Sequence, residues 1–285
     1  MTLRFAWTFV LFLFLTVSVS ANEIDQLKTA SDVNQFLKKL IPKNSDELLL
    51  DVKEAPKTEY GRNTFHKVDL DGNGKTDLIV ESKYLFAVMD KNEITTIDKG
   101  AFMLRKFTLV RIDKAGADTL LRIRPRKDTD IPVPDSDDEQ TLVYKFGGFI
   151  EYNSTPDHIK IDGITLSTSG CYGTCPIFTI SINSDRSATY QAKKFNKEDG
   201  EFSGTIDTAD FERLVGIINY MRLASLKTEY SVPWTDDRGS TLTIKYDGGK
   251  TKQISDYGMI GTFGLEDLYD KFYDLRGSQK WTTVK

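Results

Sequence analysis

The segment Ile177-Phe-Thr-Ile-Ser-Ile182 alternates apolar and polar side chains without a break. Successive side chains of a strand point to opposite faces, so this run fits a strand with one face in a core. The polar turn Asn183-Ser-Asp-Arg186 follows, and Ala188-Thr-Tyr-Gln-Ala192 returns as a hairpin partner. Ile164-Thr-Leu-Ser reads as a further strand. Thr241-Leu-Thr-Ile-Lys-Tyr246, a turn at Asp247-Gly-Gly249 and Lys252-Gln-Ile254 read as a second hairpin. Between the hairpins, Asp207 stands where it can cap a helix striped by Phe211, Leu214, Val215, Ile218 and Met221. A closing helix carries Leu265, Leu268, Tyr269, Phe272 and Leu275, and Gly277 suits its C-terminal stop. The expectation for residues 156–285 is an α+β module, two helices packed on an antiparallel sheet.

Residues 22–155 are expected to form a separate, β-rich module with its own mainly antiparallel sheet. A short helix over Ala30 to Leu40 has Ser31 as its N-cap and Val33, Phe36, Leu37 and Leu40 on one face, and Pro42 ends it. Short β segments follow at Leu78–Val80, Tyr84–Val88, Phe107–Arg111 and Thr119–Ile123. The acidic, proline-bearing stretch Lys127 to Glu139 reads as a long surface loop, because Thr141 to Tyr152 supplies one more strand pair. The seam falls near Asn153-Ser-Thr-Pro156, which is formally a glycosylation sequon. With 39% hydrophobic and 11% aromatic residues, a chain of this length fills two cores.

Residues 1–21 read as a secretory signal peptide. Arg4 gives the basic start, Phe5 to Val19 the apolar run, and Val19-Ser-Ala21 the small residues that a signal peptidase requires. The alternative is a retained anchor, but the run is short against the ~20 residues that cross a bilayer. The expected location is therefore periplasmic or secreted, with no transmembrane span after cleavage. The formal net charge of −4 supplies no basic footprint for nucleic acid and no polybasic membrane patch.

Asp69-Leu-Asp71-Gly-Asn73-Gly74-Lys75-Thr-Asp77 carries the strongest chemical pattern of the first half. Hard divalent cations need several oxygen ligands converging on one point. A tight loop delivers them from positions one, three, five and nine, with a backbone carbonyl from seven. Here these are Asp69, Asp71, Asn73, Asp77 and the carbonyl of Lys75, with Gly74 permitting the sharp turn. Position twelve is Val80 rather than the glutamate of an EF-hand, and both flanks read as strands. The loop resembles the calcium loop of FG-GAP and VCBS-type repeats, in a single copy that does not support a propeller. Structural calcium is the expected cofactor; the competing reading is an Asx-turn loop holding no ion.

The only two cysteines are Cys171 and Cys175, within Ser169-Gly-Cys-Tyr-Gly-Thr-Cys-Pro176. A disulfide suits an oxidising compartment. A redox dithiol usually relies on a helix N-terminus after the first cysteine, whereas Ile177 starts a strand. A tetrahedral metal site needs more ligands than the two evident here, and both histidines, His66 and His158, precede the pair. The Cys, aromatic, Gly, any residue, Cys, Pro signature resembles that of an uncharacterised bacterial domain family, over roughly residues 160–283. The resemblance implies an exported or envelope-associated protein and brings no catalytic residues. No Gly-x-Ser-x-Gly elbow and no phosphate loop is present. Tyr172, Trp234, Asp236, Asp256 and Tyr257 are candidates for lining one groove. Asp236-Asp237 beside Trp234 is an acidic pair that suits sugar chemistry or sugar binding, although adjacent acids on a loop are more often solvated turn residues. The expectation is a non-catalytic binding or envelope-associated protein of unknown partner. The alternative is a metal- or thiol-handling enzyme centred on Cys171 and Cys175.

Overall fold

A computed structural model describes residues 22–41, 48–50, 64–98, 106–126 and 139–284. The expected signal segment, Pro42 and residues 127–138 of the acidic stretch lie outside the described residues. Helix α1 (Ala30–Leu40) spans the expected residues, but its cap is Thr29 rather than Ser31. Thr29 Oγ1 accepts the Asp32 N–H at 3.1 Å, and the Asp32 carboxylate accepts the Thr29 N–H at 2.8 Å. This reciprocal box satisfies two end groups at once, which a lone serine one residue later does not.

The first half forms two four-stranded antiparallel sheets, each with its strands in sequence order. One contains β1 (Thr64–Val68), β2 (Asp77–Glu81), β3 (Leu85–Val88) and β4 (Ile94–Thr96). The other contains β5 (Phe107–Ala115), β6 (Asp118–Pro125), β7 (Gln140–Lys145) and β8 (Gly148–Glu151). Both are covered on two faces. In β2, Leu78 and Val80 pack with Val33, Phe36 and Leu37 of α1. Ile79, between them, packs on the opposite side with Leu121, Ile123 and Leu142 of the second sheet. Asp98 and Arg126 brace these two sheets. The Asp98 carboxylate accepts the N–H groups of Leu85 at 3.0 Å and Phe107 at 2.7 Å, and Arg126 donates to the carbonyls of Phe107, Lys83 and Ser82.

The second half builds an eight-stranded sheet from β9 (Ile161–Thr168), β10 (Ile177–Asn183), β11 (Ser187–Lys194), β12 (Gly200–Thr205), β13 (Glu229–Ser231), β14 (Gly239–Tyr246), β15 (Lys250–Tyr257) and β16 (Thr282–Thr283). Its order is β13-β15-β14-β9-β10-β11-β12-β16, and every contact is antiparallel except that of β13 with β15. Helices α2 (Thr208–Tyr220) and α3 (Phe263–Ser278) pack on one face, against Ile164, Leu166, Ile180, Leu242 and Ile254. Each such side chain, fully withdrawn from water, stabilises the fold by about 2 kcal/mol. Asp207 occupies the N-cap position of α2 without making a side-chain capping bond. Gly277 lies inside α3, which continues to Ser278, so it is not the stop expected from its position.

The layers run α1, first sheet, second sheet, α2 with α3, then the eight-stranded sheet. Leu120, Val143 and Ile150 of the second sheet belong to the same core as the helices and the large sheet. The contact depends on backbone proximity. Phe146, in the β7–β8 turn at φ 60°, seats against Gly216 of α2, where an added Cβ would lie 2.5 Å from its ring. Glu151 of β8 accepts the N–H groups of Phe263 at 2.6 Å and Gly264 at 3.0 Å, so a strand of the first half caps α3. A carboxylate there meets unpaired donors and the positive end of the helix dipole.

Candidate functional sites

The acidic loop joins β1 to β2, whose full-length pairing from Thr64↔Glu81 to Val68↔Asp77 brings its two ends together. Gly74 takes φ 81°, the left-handed conformation that its position in the pattern demands. One ligand atom from each of Asp69, Asp71 and Asp77 lies within 4.8 Å of the other two. The Asp69 carboxylate accepts the N–H groups of Gly72 at 2.8 Å, Asn73 at 3.2 Å and Gly74 at 2.9 Å. Asp71 accepts from the Asn73 backbone and side chain. Asp77 is fully buried, and its two oxygens accept the Leu70 N–H at 2.7 Å and the Asp90 N–H at 2.8 Å. Burial pushes its carboxyl up to about 6, against the pull of these two bonds.

The loop has a member that the linear pattern does not contain. Asp90, in the turn after β3, accepts from Asn73 Nδ2 at 3.1 Å and pairs with Lys75 Nζ at 2.9 Å. The hydrogen bond and charge of Lys75 hold the Asp90 carboxyl below the usual range. Its partner lies 17 residues away and is supplied by the β2–β3 pairing, so no local motif announces it. Thr119 of β6 donates to the Asp69 carbonyl, tying the loop to the second sheet. The three converging carboxylates of Asp69, Asp71 and Asp77 offer oxygen ligands, the type that hard divalent cations take.

Cys171 and Cys175 form a disulfide with their Cα atoms 5.7 Å apart. The chain runs from it directly into β10, as the alternation implied. The bridged turn abuts the loop before β14. The Tyr172 N–H donates to the Asp236 carbonyl at 2.9 Å, the Ser169 N–H donates to the Gly239 carbonyl at 2.8 Å, and the Gly239 N–H returns to Ser169 Oγ at 2.9 Å. Trp234 Nε1 donates to the Asp237 carboxylate at 3.0 Å, and the Asp237 N–H donates to the Tyr257 hydroxyl at 3.0 Å. Tyr172, Trp234, Asp236 and Tyr257 are therefore brought to one end of strands β9, β14 and β15.

Asp256 is not among them. It follows the pleat to the opposite face, is fully buried, and accepts the N–H groups of Ile260 and Gly261, both at 2.9 Å. Burial, and next the Asp256 charge, push the buried Tyr269 hydroxyl upward. Asp237 is engaged by Trp234 while Asp236 is exposed at φ 69°, so these neighbours do not form a facing acid–base pair. Asn153 is likewise inward: its side-chain nitrogen donates to the Tyr220 carbonyl at 2.8 Å in a buried setting, which withholds the formal sequon from modification in the folded chain.

Two clefts lie near the junction of the halves. One of about 350 Å³ is bordered by Glu151, Arg222, Lys227, Tyr230 and Thr262. The other, about 540 Å³, is bordered by Asp71, Asp118, Phe146, His158 and Tyr220. No helix among the described residues is long and apolar enough to cross a membrane. Residues 162–276 match the model of the family described as Domain of unknown function (DUF6438). No curated protein matches the chain.

Proposed function

We propose that this is an exported, non-catalytic binding or envelope-associated protein whose Asp69–Asp77 loop holds a structural Ca²⁺. The observation that carries the calcium reading is the convergence of Asp69, Asp71 and Asp77, from spaced positions of one tight loop, on a common point. Asp90 adds a neighbouring carboxylate, linked to Asp71 through the Asn73 side-chain nitrogen, which donates to both. The bonds from Gly72, Asn73 and Gly74 to Asp69 hold the loop closed beforehand, so an ion enters a cradle already shaped. Its role is to fasten the β1–β2 hairpin against the second sheet through Asp69 and Thr119. The signal-like residues 1–21 and the disulfide support export.

Titration of Ca²⁺ into EDTA-stripped protein tests the ion. Binding heat and a rise in melting temperature of several degrees are expected, both lost in Asp69→Asn and Asp71→Asn. No heat and no shift removes calcium from the reading. Export is tested separately, by fractionating cells that express the chain with its own N-terminus.

A further inference from the structure

The outward face of the eight-stranded sheet carries an unusual surface. Along one line across the strands, paired residue to residue, stand Ser255, Thr241, Ser167, Thr179 and Gln191. Two residues further along each strand, a second line contains Gln253, Thr243, Thr165, Ser181, Thr189 and Ser203. Neither line holds a charged or apolar side chain, in a protein of which 28% is Asp, Glu, Lys or Arg. Charge returns at the two ends of the first line, with Glu229 beside Ser255 and Glu201 beside Gln191. The apolar residues between these positions point to the helices, so α2 and α3 cover the other face.

The lines are straight and regularly spaced. Adjacent strands lie about 4.8 Å apart, and residues two apart along a strand about 6.8 Å. Thr165 Oγ1 donates to Ser181 Oγ at 3.0 Å, and the hydroxyls of Ser167 and Thr179 are 3.0 Å apart. These bonds orient the hydroxyls and leave each with further hydrogen-bonding capacity, because a hydroxyl carries one donor and two acceptor sites. Beyond the first line, Ser169, Gly239 and Tyr257 close a shallow depression of about 230 Å³. Past it, on the tip of the disulfide turn, stands Tyr172, 90% exposed, its backbone N–H donating to the Asp236 carbonyl. The disulfide braces the turn backbone that carries this exposed ring, a flat aromatic contact.

The chemistry selects the partner. An ionic polymer finds no countercharge in either line, and nucleic acid needs a basic stripe. Packing against another sheet, including a second copy of this one, needs interdigitating apolar side chains. A ligand that both donates and accepts neutral hydrogen bonds at a sugar-sized repeat, and offers C–H faces to an aromatic ring, satisfies the surface. We propose that this face binds an extended, neutral polysaccharide laid across the strands, with Tyr257 and Tyr172 bounding one end. This site is separate from the calcium loop.

Native affinity electrophoresis of the full chain through gels containing hydroxyethylcellulose, barley mixed-linkage glucan, galactomannan or polygalacturonate tests the proposal, with and without EDTA. Retardation by at least one of the three neutral polymers is expected, unchanged by EDTA, so that the fate of the calcium reading does not decide this one. Tyr172→Ala, at a site too exposed to affect folding, is expected to weaken the apparent affinity about tenfold, as loss of an aromatic anchor does. Thr241→Glu is expected to abolish retardation while the melting curve stays cooperative. The proposal is overturned by no retardation in any neutral polymer, by retardation in polygalacturonate alone, or by an unaltered response of both variants.

Discussion

The two halves of the chain solve the burial of a sheet in opposite ways. Strand β2 is buried at every position, because α1 covers one of its faces and the second sheet covers the other. Strand β10 alternates buried and half-buried residues, because α2 and α3 cover one face and the other is left to solvent. A strand covered twice reads as a continuous apolar run, and a strand covered once reads as an alternation. The difference predicts where the chain is fragile and where it is free to bind.

The largest expected effect concerns a charge enclosed by the doubly covered half. Asp98 lies between the first two sheets, and burial pushes its carboxyl up to about 7 despite bonds from Leu85 and Phe107 and the nearby Arg126 charge. The folded state thus keeps a proton that the unfolded chain releases near pH 4. For this group, stability is greatest below about pH 4, falls as pH rises towards 7, and then levels. The full span is about 4 kcal/mol. Other carboxylates, such as Asp113 and Asp247, are held low and act in the opposite direction, so the measurement is a difference. Urea denaturation of the parent and Asp98→Asn between pH 4 and 8 is expected to show the parent losing up to about 4 kcal/mol relative to the variant as pH rises. A constant gap would mean that Asp98 stays ionised in the fold.

Next in size is Ile79→Ala, which empties a fully buried position between the two sheets. A loss of about 3 kcal/mol is expected from transfer and cavity terms together, read as a lower urea midpoint. A loss below 1 kcal/mol would show that the first two sheets are not packed on each other in solution.

Much of this architecture was legible along the chain, and the failures have a common cause. Periodicity located α1, the β7–β8 pair, and the hairpins of the large sheet, because each shows its own buried face in its own residues. Periodicity cannot say what lies on the far side. Leu78, Ile79 and Val80 look alike in sequence, although they serve two cores. Strand β12 is hard to read in the sequence because Phe202 is its only buried residue and glycines occupy positions 200 and 204. The calcium-type pattern placed Asp69, Asp71 and Asp77 together, while Asp90 arrives only through strand pairing. Asp256 and Tyr257 adjoin in sequence, and the pleat sends such neighbours to opposite faces.

The smallest expected effect tests the other side of the comparison, on adjacent residues of one strand. Ile180 of β10 is fully buried against the helices, and Thr179 beside it faces outward. Thr179→Val keeps a β-branched side chain suited to a strand. It removes the bond with Ser167 Oγ, whose hydroxyl then turns to water. Surface changes of this kind stay within about 0.5 kcal/mol, so the urea midpoint is expected to remain that of the parent. A loss of 2 kcal/mol or more would mean that the hydroxyl face is covered in the folded protein, since only a desolvated Ser167 makes an unmet hydrogen bond so costly. The same measurement therefore bears on the glycan surface: a Thr179→Val variant that is unchanged in stability but reduced in polysaccharide retardation separates a bond made to the ligand from one made within the sheet.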